Sequence, residues 1–255
     1  MESWQQKFQH FRSTWVEPII PLRQMRNSYS LYRRFLSDWS RYEQLPKAEE
    51  LHFLDSYPCL LDRRRTTPIN RQYLYQAVWA FKRIKESGAS FHLDVGSEVA
   101  FLAMLSVVTP AIYIDIRPAL LSLKNFGSLQ GSILELPFAD QSVRSLSCLH
   151  VVEHIGLGRY GDPLDTQGSK KAIRELARVL APGGNLFFST PIGKPRVCFN
   201  AHRIHAPSHI LEMFSSLRLI EFSAINDQDE FVENVHPDQL SNSTYSCGLF
   251  WFQAA

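Results

Sequence analysis

The segment that decides the fold runs from residue 92 to residue 191 and begins with HLDVGS (92–97). It continues through IYIDIRP (112–118), LHVVEH (149–154) and KKAIRELARVLAPGGNLFFSTP (170–191). Short apolar runs alternate here with stretches of helical periodicity. That alternation predicts a parallel sheet with helices on both faces, because parallel strands need crossover connections. The sequence therefore predicts an α/β fold.

The same patterns extend in both directions from this segment. We predict strands at 91–95, 111–115, 130–134, 144–150, 185–190, 217–224 and 246–252. We predict helices at 28–42, 70–86, 98–107, 118–124, 169–180 and 207–215. The chain is then a helical extension, residues 1–69, followed by one α/β domain, residues 70–255.

The N-terminal extension begins with aromatic residues on one predicted helix face: Trp4, Phe8, Phe11 and Trp15. Their spacing is that of a single helical stripe, and Pro18 and Pro21 are expected to end the helix. Two interpretations remain open. The stripe packs on the rest of the protein, or it contacts a partner protein or a membrane surface, which nearby basic residues would suit.

Composition excludes several classes of function. Lys and Arg number 27 against 25 Asp and Glu, so the net charge of +2 gives no sign of nucleic-acid binding. No apolar run approaches the roughly 18 residues that would span a bilayer. Four scattered cysteines without a CxxC pair, and an N-terminus unlike a secretory signal, predict a cytoplasmic protein with reduced thiols. The basic run Arg63–Arg65 is either a solvated face or an anion site.

Together these segments resemble a class I S-adenosylmethionine-dependent methyltransferase. The resemblance implies a Rossmann-like, mostly parallel sheet with an antiparallel last strand, and S-adenosylmethionine as cofactor. The family's first turn reads DxGxGxG; here Asp94 and Gly96 match, while Glu98 and Ala100 replace the later glycines. Glu98 places a carboxylate near a helix N-terminus, where it could satisfy the helix dipole or repel the cofactor's own carboxylate.

Ligands of open α/β sheets bind beyond the carboxyl ends of the strands. The predicted cofactor-binding residues lie there: Asp94, Gly96, Ser97, Asp115, Ser132 and Ile133. Asp115 follows Gly96 by 19 positions, which suits a carboxylate that binds two ribose hydroxyls, although an exposed strand end is the alternative. The resemblance implies that Ser132 replaces an aspartate that contacts adenine, and that Ile133 packs against the adenine ring.

Residues from about 58 to 252 resemble more specifically a methyltransferase-like family, domain of unknown function 268. GLGRYGDP (156–163) and FNAHR (199–203) carry this resemblance, since ordinary methyltransferases lack them. From these loops we predict substrate-binding residues Arg159, Tyr160, Asn200 and Arg203. We predict proton acceptors among His202, His150 and Asp162. The alternative is that the loops are held by their own hydrogen bonds and serve only structure.

The letters HVVEH (150–154) also match an inverted zinc-protease pattern. That motif needs a continuous helix, whereas a strand is predicted to run into it, so we predict no metal site. His154 is either a structural hydrogen-bonding residue or a base.

Three functions follow from these observations. The first is a methyltransferase for a small-molecule or glycan acceptor, with polysaccharide modification suggested by analogy alone. The second is a methyltransferase-like binding module without catalysis, which Glu98 and Ala100 favour. The third is a different sugar-processing transferase on the same fold.

Overall fold

The chain divides into two units, Met1–Pro68 and Ile69–Ala255, in a computed structural model that describes residues 3–16 and 22–255. Each unit is described by itself below. Among the described residues, no helix combines the length and the apolar character that crossing a bilayer requires.

The first unit is helical. Its elements are α1 (Trp4–Phe11), a π-helical turn (Arg12–Val16) and α2 (Leu22–Glu43). Ser3 begins α1 with a capping box, in which its Oγ accepts from the Gln6 amide and Gln6 Oε1 accepts from the Ser3 amide. The aromatic stripe is largely exposed, so its role as an interface stays a prediction. Its predicted end at Pro18 and Pro21 lies outside the described residues.

The second unit is an α/β sandwich around one eight-stranded sheet. Its helices are α3 (Arg71–Glu86), α4 (Val99–Leu105), α5 (Gly168–Val179) and α6 (Pro207–Met213). Its sheet strands are β1 (His92–Val95), β2 (Ala111–Asp115), β3 (Phe126–Gln130), β4 (Val143–Leu149), β5 (Leu180–Ile192), β8 (Leu217–Ile225), β9 (Phe231–Val232) and β10 (Ser246–Ala254). A separate hairpin consists of β6 (Arg196–Cys198) and β7 (His202–Ile204).

The sheet has the strand order β3-β2-β1-β4-β5-β10-β8-β9. Strands β1 to β5 are mutually parallel, and β10 lies antiparallel between β5 and β8. The prediction of a mostly parallel Rossmann-like sheet with an antiparallel last strand, preceded by helices, is confirmed. The order reverses between β1 and β4, and the carboxyl ends of β1, β2 and β4 therefore meet at one edge.

Apolar side chains fill both faces of the sheet. On one face α5 and α6 contribute Ile173, Leu176 and Phe214 to a fully buried cluster. On the other face, Trp79 of α3 and Leu102 of α4 lie in a second cluster. Burial of each such side chain contributes on the order of 1.5–3 kcal/mol, which fixes the strand ends that carry the site.

The connection between β2 and β3 differs from the prediction. Residues 118–124 form no helix, and the strand lies at Phe126–Gln130 rather than at 130–134. A seven-residue helix is marginal, and here the Ala119 amide donates instead to Ser128 Oγ, 2.9 Å away. The apolar Ile133 is buried in a turn after β3 and not in the sheet.

Candidate functional site

Two adjoining cavities lie at the carboxyl edge of the sheet. The smaller has a volume of about 90 Å³ and is called the inner cavity; it is lined by Gly96, Asp115, Ile133 and Val151, among others. The larger, called the outer cavity, has a volume of about 610 Å³. Its lining includes Asn70, Tyr73, Ser97, Glu98, Arg159, His202 and Tyr245. Gly96, His150, His154 and Tyr160 border both cavities.

The turn after β1 needs glycine at Gly96. Its φ is +70°, and a methyl group added there would lie 3.1 Å from Val151 Cγ1 and 3.4 Å from Asp115 Oδ2. Both the backbone conformation and the space therefore favour glycine. The turn brings bare backbone to the place where both cavities meet.

Asp94 holds this turn from beneath. The residue is fully buried, and its carboxylate accepts hydrogen bonds from the Ser97 amide (3.0 Å), from Ser97 Oγ (2.6 Å) and from Ser147 Oγ. Ser97 Oγ in turn accepts from the Leu149 amide. Asp94 and Ser97 were predicted to bind the cofactor; these hydrogen bonds shape the turn, and a contact of either residue with a cofactor stays a prediction.

Glu98 occupies the N-cap position of α4, but its side chain makes no capping hydrogen bond. The residue is exposed and lines the outer cavity beside Gly96 and Ser97. Its charge is thus directed toward the place where a ligand crossing the turn would lie, and not used to satisfy the helix end.

Asp115 is placed as predicted, at the carboxyl end of β2 and in the wall of the inner cavity. Its Oδ1 accepts from the Arg117 amide at 2.7 Å, and Oδ2 faces Gly96. The side chain is 14% exposed, so the carboxylate is fixed in direction and still reachable.

Ile133 and Ser132 were both predicted to contact adenine, but only Ile133 lies in the wall of the inner cavity. Ile133 is buried and lines the inner cavity, as its prediction requires. Ser132 does not line it, because its Oγ accepts from the Leu134 amide and forms the turn. Gly131 backbone takes the place in the wall that was predicted for Ser132.

Tyr160 forms the wall between the two cavities. The Arg117 guanidinium lies 4.5 Å from the centroid of its ring and the Arg159 guanidinium 5.1 Å. His154 meets the same ring edge-on at 5.7 Å. Arg159 also donates to the carbonyl of Ala201 at 3.1 Å. Arg159 and Tyr160 thus lie at the cavities, as predicted for substrate-binding residues.

The loop that carries Tyr160 is closed by backbone contacts. A methyl group at Gly156, where φ is +81°, would lie 2.1 Å from the Asp165 carbonyl oxygen. One at Gly168 would lie 2.4 Å from the Ile155 carbonyl oxygen. The two sides of the loop therefore touch without intervening side chains.

Two of the predicted site residues hold this loop. Asp162 accepts from the Gly156 and Tyr160 amides; burial raises its pKa, but these backbone hydrogen bonds outweigh burial and lower it. Arg203 donates to the carbonyls of Ile155 and Asp165. The roles predicted for both residues toward a ligand stay predictions. Asn200 is exposed and lines neither cavity.

His150 ends β4 with a left-handed φ of +57° and has both ring nitrogens engaged. Nδ1 lies 2.8 Å from Glu153 Oε1, and Nε2 lies 3.1 Å from Cys247 Sγ. Burial alone lowers the pKa of His150, but Cys247 and Glu153 raise it well above its ordinary value. Glu153 is fully buried, and His150 and His154 outweigh that burial and lower its pKa.

Glu153 pairs with His150 and raises its pKa, and the catalytic role predicted for His150 stays a prediction. The strand runs up to His150 and turns there, so the two histidines of the HVVEH segment do not share a helix. Within the described part of the chain, no group of three or more ligating side chains is placed to hold a metal ion.

His202, a predicted proton acceptor, is the first residue of β7. It is half-buried in the outer cavity, and no hydrogen bond to either ring nitrogen is found among the described residues. Burial is the main cause that lowers its pKa, so the ring is neutral at physiological pH. Its ring lies 5.2 Å from Tyr245 and 6.5 Å from His154.

The lining of the outer cavity also includes residues that were not predicted as site residues, among them Asn70, Tyr73 and Tyr245. Tyr73 packs on His150 with 5.7 Å between ring centroids, and so covers the His150–Cys247 pair. His154 Nδ1 lies 2.6 Å from the Ala201 carbonyl and donates to it, and Nε2 lies 3.8 Å from Glu153 Oε1.

Comparison with known proteins agrees with this architecture. A family described as "Caenorhabditis protein of unknown function, DUF268" matches residues 138–246. Comparison with curated protein sequences gives no significant match.

Four solved structures illustrate the likeness of fold. The N-methyltransferase NodS from Bradyrhizobium japonicum WM9 has a TM-score of 0.53 at 17% identity, covering 72% of this chain and 97% of NodS. Its complex with S-adenosyl-L-homocysteine has a TM-score of 0.50 at 17% identity, covering 77% and 91%.

A chain of the complex that contains the Haloferax volcanii Trm112 methyltransferase activator has a TM-score of 0.52 at 17% identity, covering 72% and 90%. The [4+2]-cyclase SpnF has a TM-score of 0.50 at 12% identity, covering 71% and 80%. Identities this low establish the fold alone. The chain therefore has the Rossmann-like fold of class I S-adenosylmethionine-dependent methyltransferases, and over residues 138–246 it resembles the DUF268 family.

Proposed function

We propose that the protein is an S-adenosylmethionine-dependent methyltransferase that acts on a small-molecule or glycan acceptor. The observation that carries this proposal is the junction at Gly96. There a reachable carboxylate, Asp115, shares the inner cavity with the apolar Ile133, and the turn opens into the cavity that holds the unpaired imidazole of His202.

The residues fit this cofactor in three respects. Asp115 Oδ2 is directed at the turn, where it can accept from ribose hydroxyls. Ile133 offers an apolar wall for adenine, and the space above Gly96 admits no side chain. Glu98 lines the outer cavity beside the turn, where its carboxylate would face the ammonium group of the methionine part.

When bound, S-adenosylmethionine supplies a methyl group on a positively charged sulfur for in-line displacement. The protein's part is to position the acceptor in the outer cavity and to take its proton. We assign that step to His202, because burial lowers its pKa and no hydrogen bond to its ring nitrogens is found among the described residues. Tyr73, Tyr245 and Arg159 line the same cavity and suit a ring-shaped acceptor with polar substituents.

The first test is calorimetric titration with S-adenosylhomocysteine, followed by incubation with methyl-labelled S-adenosylmethionine and fractionated small molecules and oligosaccharides. We expect micromolar binding and a labelled product. His202→Gln should lower the rate of product formation by about 10²–10⁴-fold, which is the usual contribution of a general base. Its affinity for S-adenosylhomocysteine should stay within about threefold of the wild-type value.

Three other outcomes would each contradict the proposal. A folded protein that binds neither S-adenosylmethionine nor S-adenosylhomocysteine would favour a binding module for a different ligand. Cofactor binding without any labelled product leaves a module without catalysis. Binding of a nucleotide sugar in place of the cofactor indicates a different transferase.

Tyr160 controls entry to the inner cavity. At about 90 Å³ this cavity is below the roughly 300–1,000 Å³ typical of ligand sites, so the ring must swing away from Arg117 before adenosine enters. Tyr160→Ala should therefore speed association of S-adenosylhomocysteine several-fold in stopped-flow fluorescence. Tyr160→Phe keeps the ring and is the matched control, expected to associate at the wild-type rate. Equal rates in all three proteins would exclude this role.

A further inference from the structure

A continuous row of buried polar side chains runs through the sheet beneath the cofactor turn. His92 on β1 is fully buried, with Nδ1 2.7 Å from Ser145 Oγ and Nε2 2.8 Å from Ser147 Oγ, both on β4. Ser147 Oγ contacts Asp94, and Asp94 binds Ser97. The row therefore joins a buried imidazole to the turn at Gly96.

The direction of each hydrogen bond follows from the chemistry of its members. The Asp94 carboxylate only accepts, so the Ser147 hydroxyl spends its one hydrogen on it. Ser147 Oγ must then accept from Nε2–H of His92. Burial lowers the pKa of His92 to about 3, so the ring is neutral and Nδ1 accepts from the Ser145 hydroxyl. One tautomer satisfies the whole row.

We propose that His92 is a positioning residue for the cofactor turn: by donating to Ser147 it directs that hydroxyl onto Asp94, and Asp94 then holds the Ser97 backbone and hydroxyl in the ligand-binding conformation. This rests on the proposed function. Ordinary apolar residues at position 92 would leave the Ser147 hydroxyl free to rotate away. The imidazole of His92 thus acts on the ligand only through the side chains of Ser147, Asp94 and Ser97.

The row makes ligand binding sensitive to pH. Burial raises the pKa of Asp94 to about 6, against the hydrogen bonds from Ser147 and Ser97 that lower it. Facing Asp94 from other strands are Asp115 and Tyr113 of β2 and Cys148 of β4. Once Asp94 takes up a proton it becomes a donor, and its bonds from Ser97 weaken. Affinity for a ligand on the turn should then fall as the pH drops through about 6.

A route for that proton is present at the opposite edge of the sheet. Ser145 lies in the wall of a cavity of about 490 Å³ at the amino ends of β1, β4 and β5. A proton passed from Ser145 along the row requires His92 to change to its other tautomer. Ser147 Oγ then takes the proton from Nε2 and gives its own to Asp94, so each step replaces one O–H or N–H bond with another.

The test compares two substitutions that keep different halves of the imidazole. His92→Gln carries an amide that reaches the position of Nε2 and can donate to Ser147, whereas His92→Asn reaches only the position of Nδ1. We expect His92→Gln to bind S-adenosylhomocysteine within threefold of wild type. His92→Asn should lose tenfold or more at neutral pH, and its binding should fall off at a higher pH. Ser147→Ala, which retains His92, should behave like His92→Asn.

NMR titration of Asp94 without ligand tests the role of His92 independently of the proposed function. In ¹³C NMR, the Asp94 carboxyl carbon should titrate at higher pH in His92→Asn than in His92→Gln, and ¹⁵N spectra should show wild-type His92 protonated at Nε2. Wild-type protein that fails to bind S-adenosylhomocysteine would overturn the proposed function, while these shifts would still decide the role of His92. Equal titration of Asp94 in both variants, or affinity losses that merely follow melting temperature, would overturn the relay.

Discussion

Asp115→Ala is expected to weaken binding of S-adenosylhomocysteine by about 10²–10⁴-fold. A hydrogen bond to a charged group contributes about 1.5–3 kcal/mol, and the two ribose hydroxyls would each lose one. Apolar contacts with Ile133 would remain, so the loss should appear mainly as faster dissociation. Calorimetry with the purified variant measures the affinity.

The control for this substitution is Asp238→Ala, because Asp238 is an exposed aspartate whose pairing with His236 leaves its side chain 73% exposed. It should bind like wild type. Asp115 also accepts from the Arg117 amide, so thermal melting must show that the alanine variant is folded. A folded Asp115→Ala protein with unchanged affinity would mean that no ribose lies in the inner cavity.

Glu153→Gln is expected to lower the free energy of unfolding by about 3–5 kcal/mol. Removing one member of a buried ion pair leaves the other without compensation, and Glu153 is fully buried beside His150. Urea denaturation measures the change. Glu86→Gln is the matched control: Glu86 pairs with Arg83 at 2.7 Å but is 45% exposed, and the loss should stay below about 1 kcal/mol.

The difference in unfolding free energy between wild type and Glu153→Gln should depend on pH, because the pKa values of His150 and Glu153 are both shifted. The pKa of His150 is raised above 6.5, so its contribution is complete below pH 6.5 and is lost as pH rises through the raised value. The pKa of Glu153 is lowered below 4.5, so its contribution is present above pH 4.5 and is lost as pH falls through the lowered value. The gap between wild type and Glu153→Gln should be widest between these pH values. A gap independent of pH would mean that packing, not charge, is lost.

Much of the fold could be predicted because its strands carry apolar runs with clear limits. β2 occupies the predicted residues, β1 begins one residue later than predicted, and β4 is displaced by one residue at both ends. The position of Asp115 followed from the same limits, since a residue at the end of a parallel strand lies at the ligand edge. The connection before β3 failed because helical spacing of leucines in 118–124 does not show that the chain turns back through Ser128.

The site could be predicted only in part, because polar residues in a loop do not reveal what they bind. Asp162 and Arg203 have the chemistry of ligand-binding residues, yet both are used by backbone groups of one loop. His202 has the same kind of sequence context and remains unpaired. Asp162 and Arg203 differ from His202 in their contacts with the loop that carries Tyr160. The path of that loop is set by Gly156 and Gly168 and by the contacts of Arg203 with Ile155 and Asp165.

The backbone-to-backbone closure at Gly156 and Gly168 has a practical consequence for engineering. The two glycine contacts, and the Asp162 side chain that accepts from the Gly156 and Tyr160 amides, hold the outline of the loop without the side chains of Arg159 and Tyr160. Arg159 and Tyr160 lie on this loop, and both line the outer cavity. Libraries that randomise those two positions and keep both glycines should retain a folded protein, and so offer a way to graft new acceptor preferences onto the scaffold.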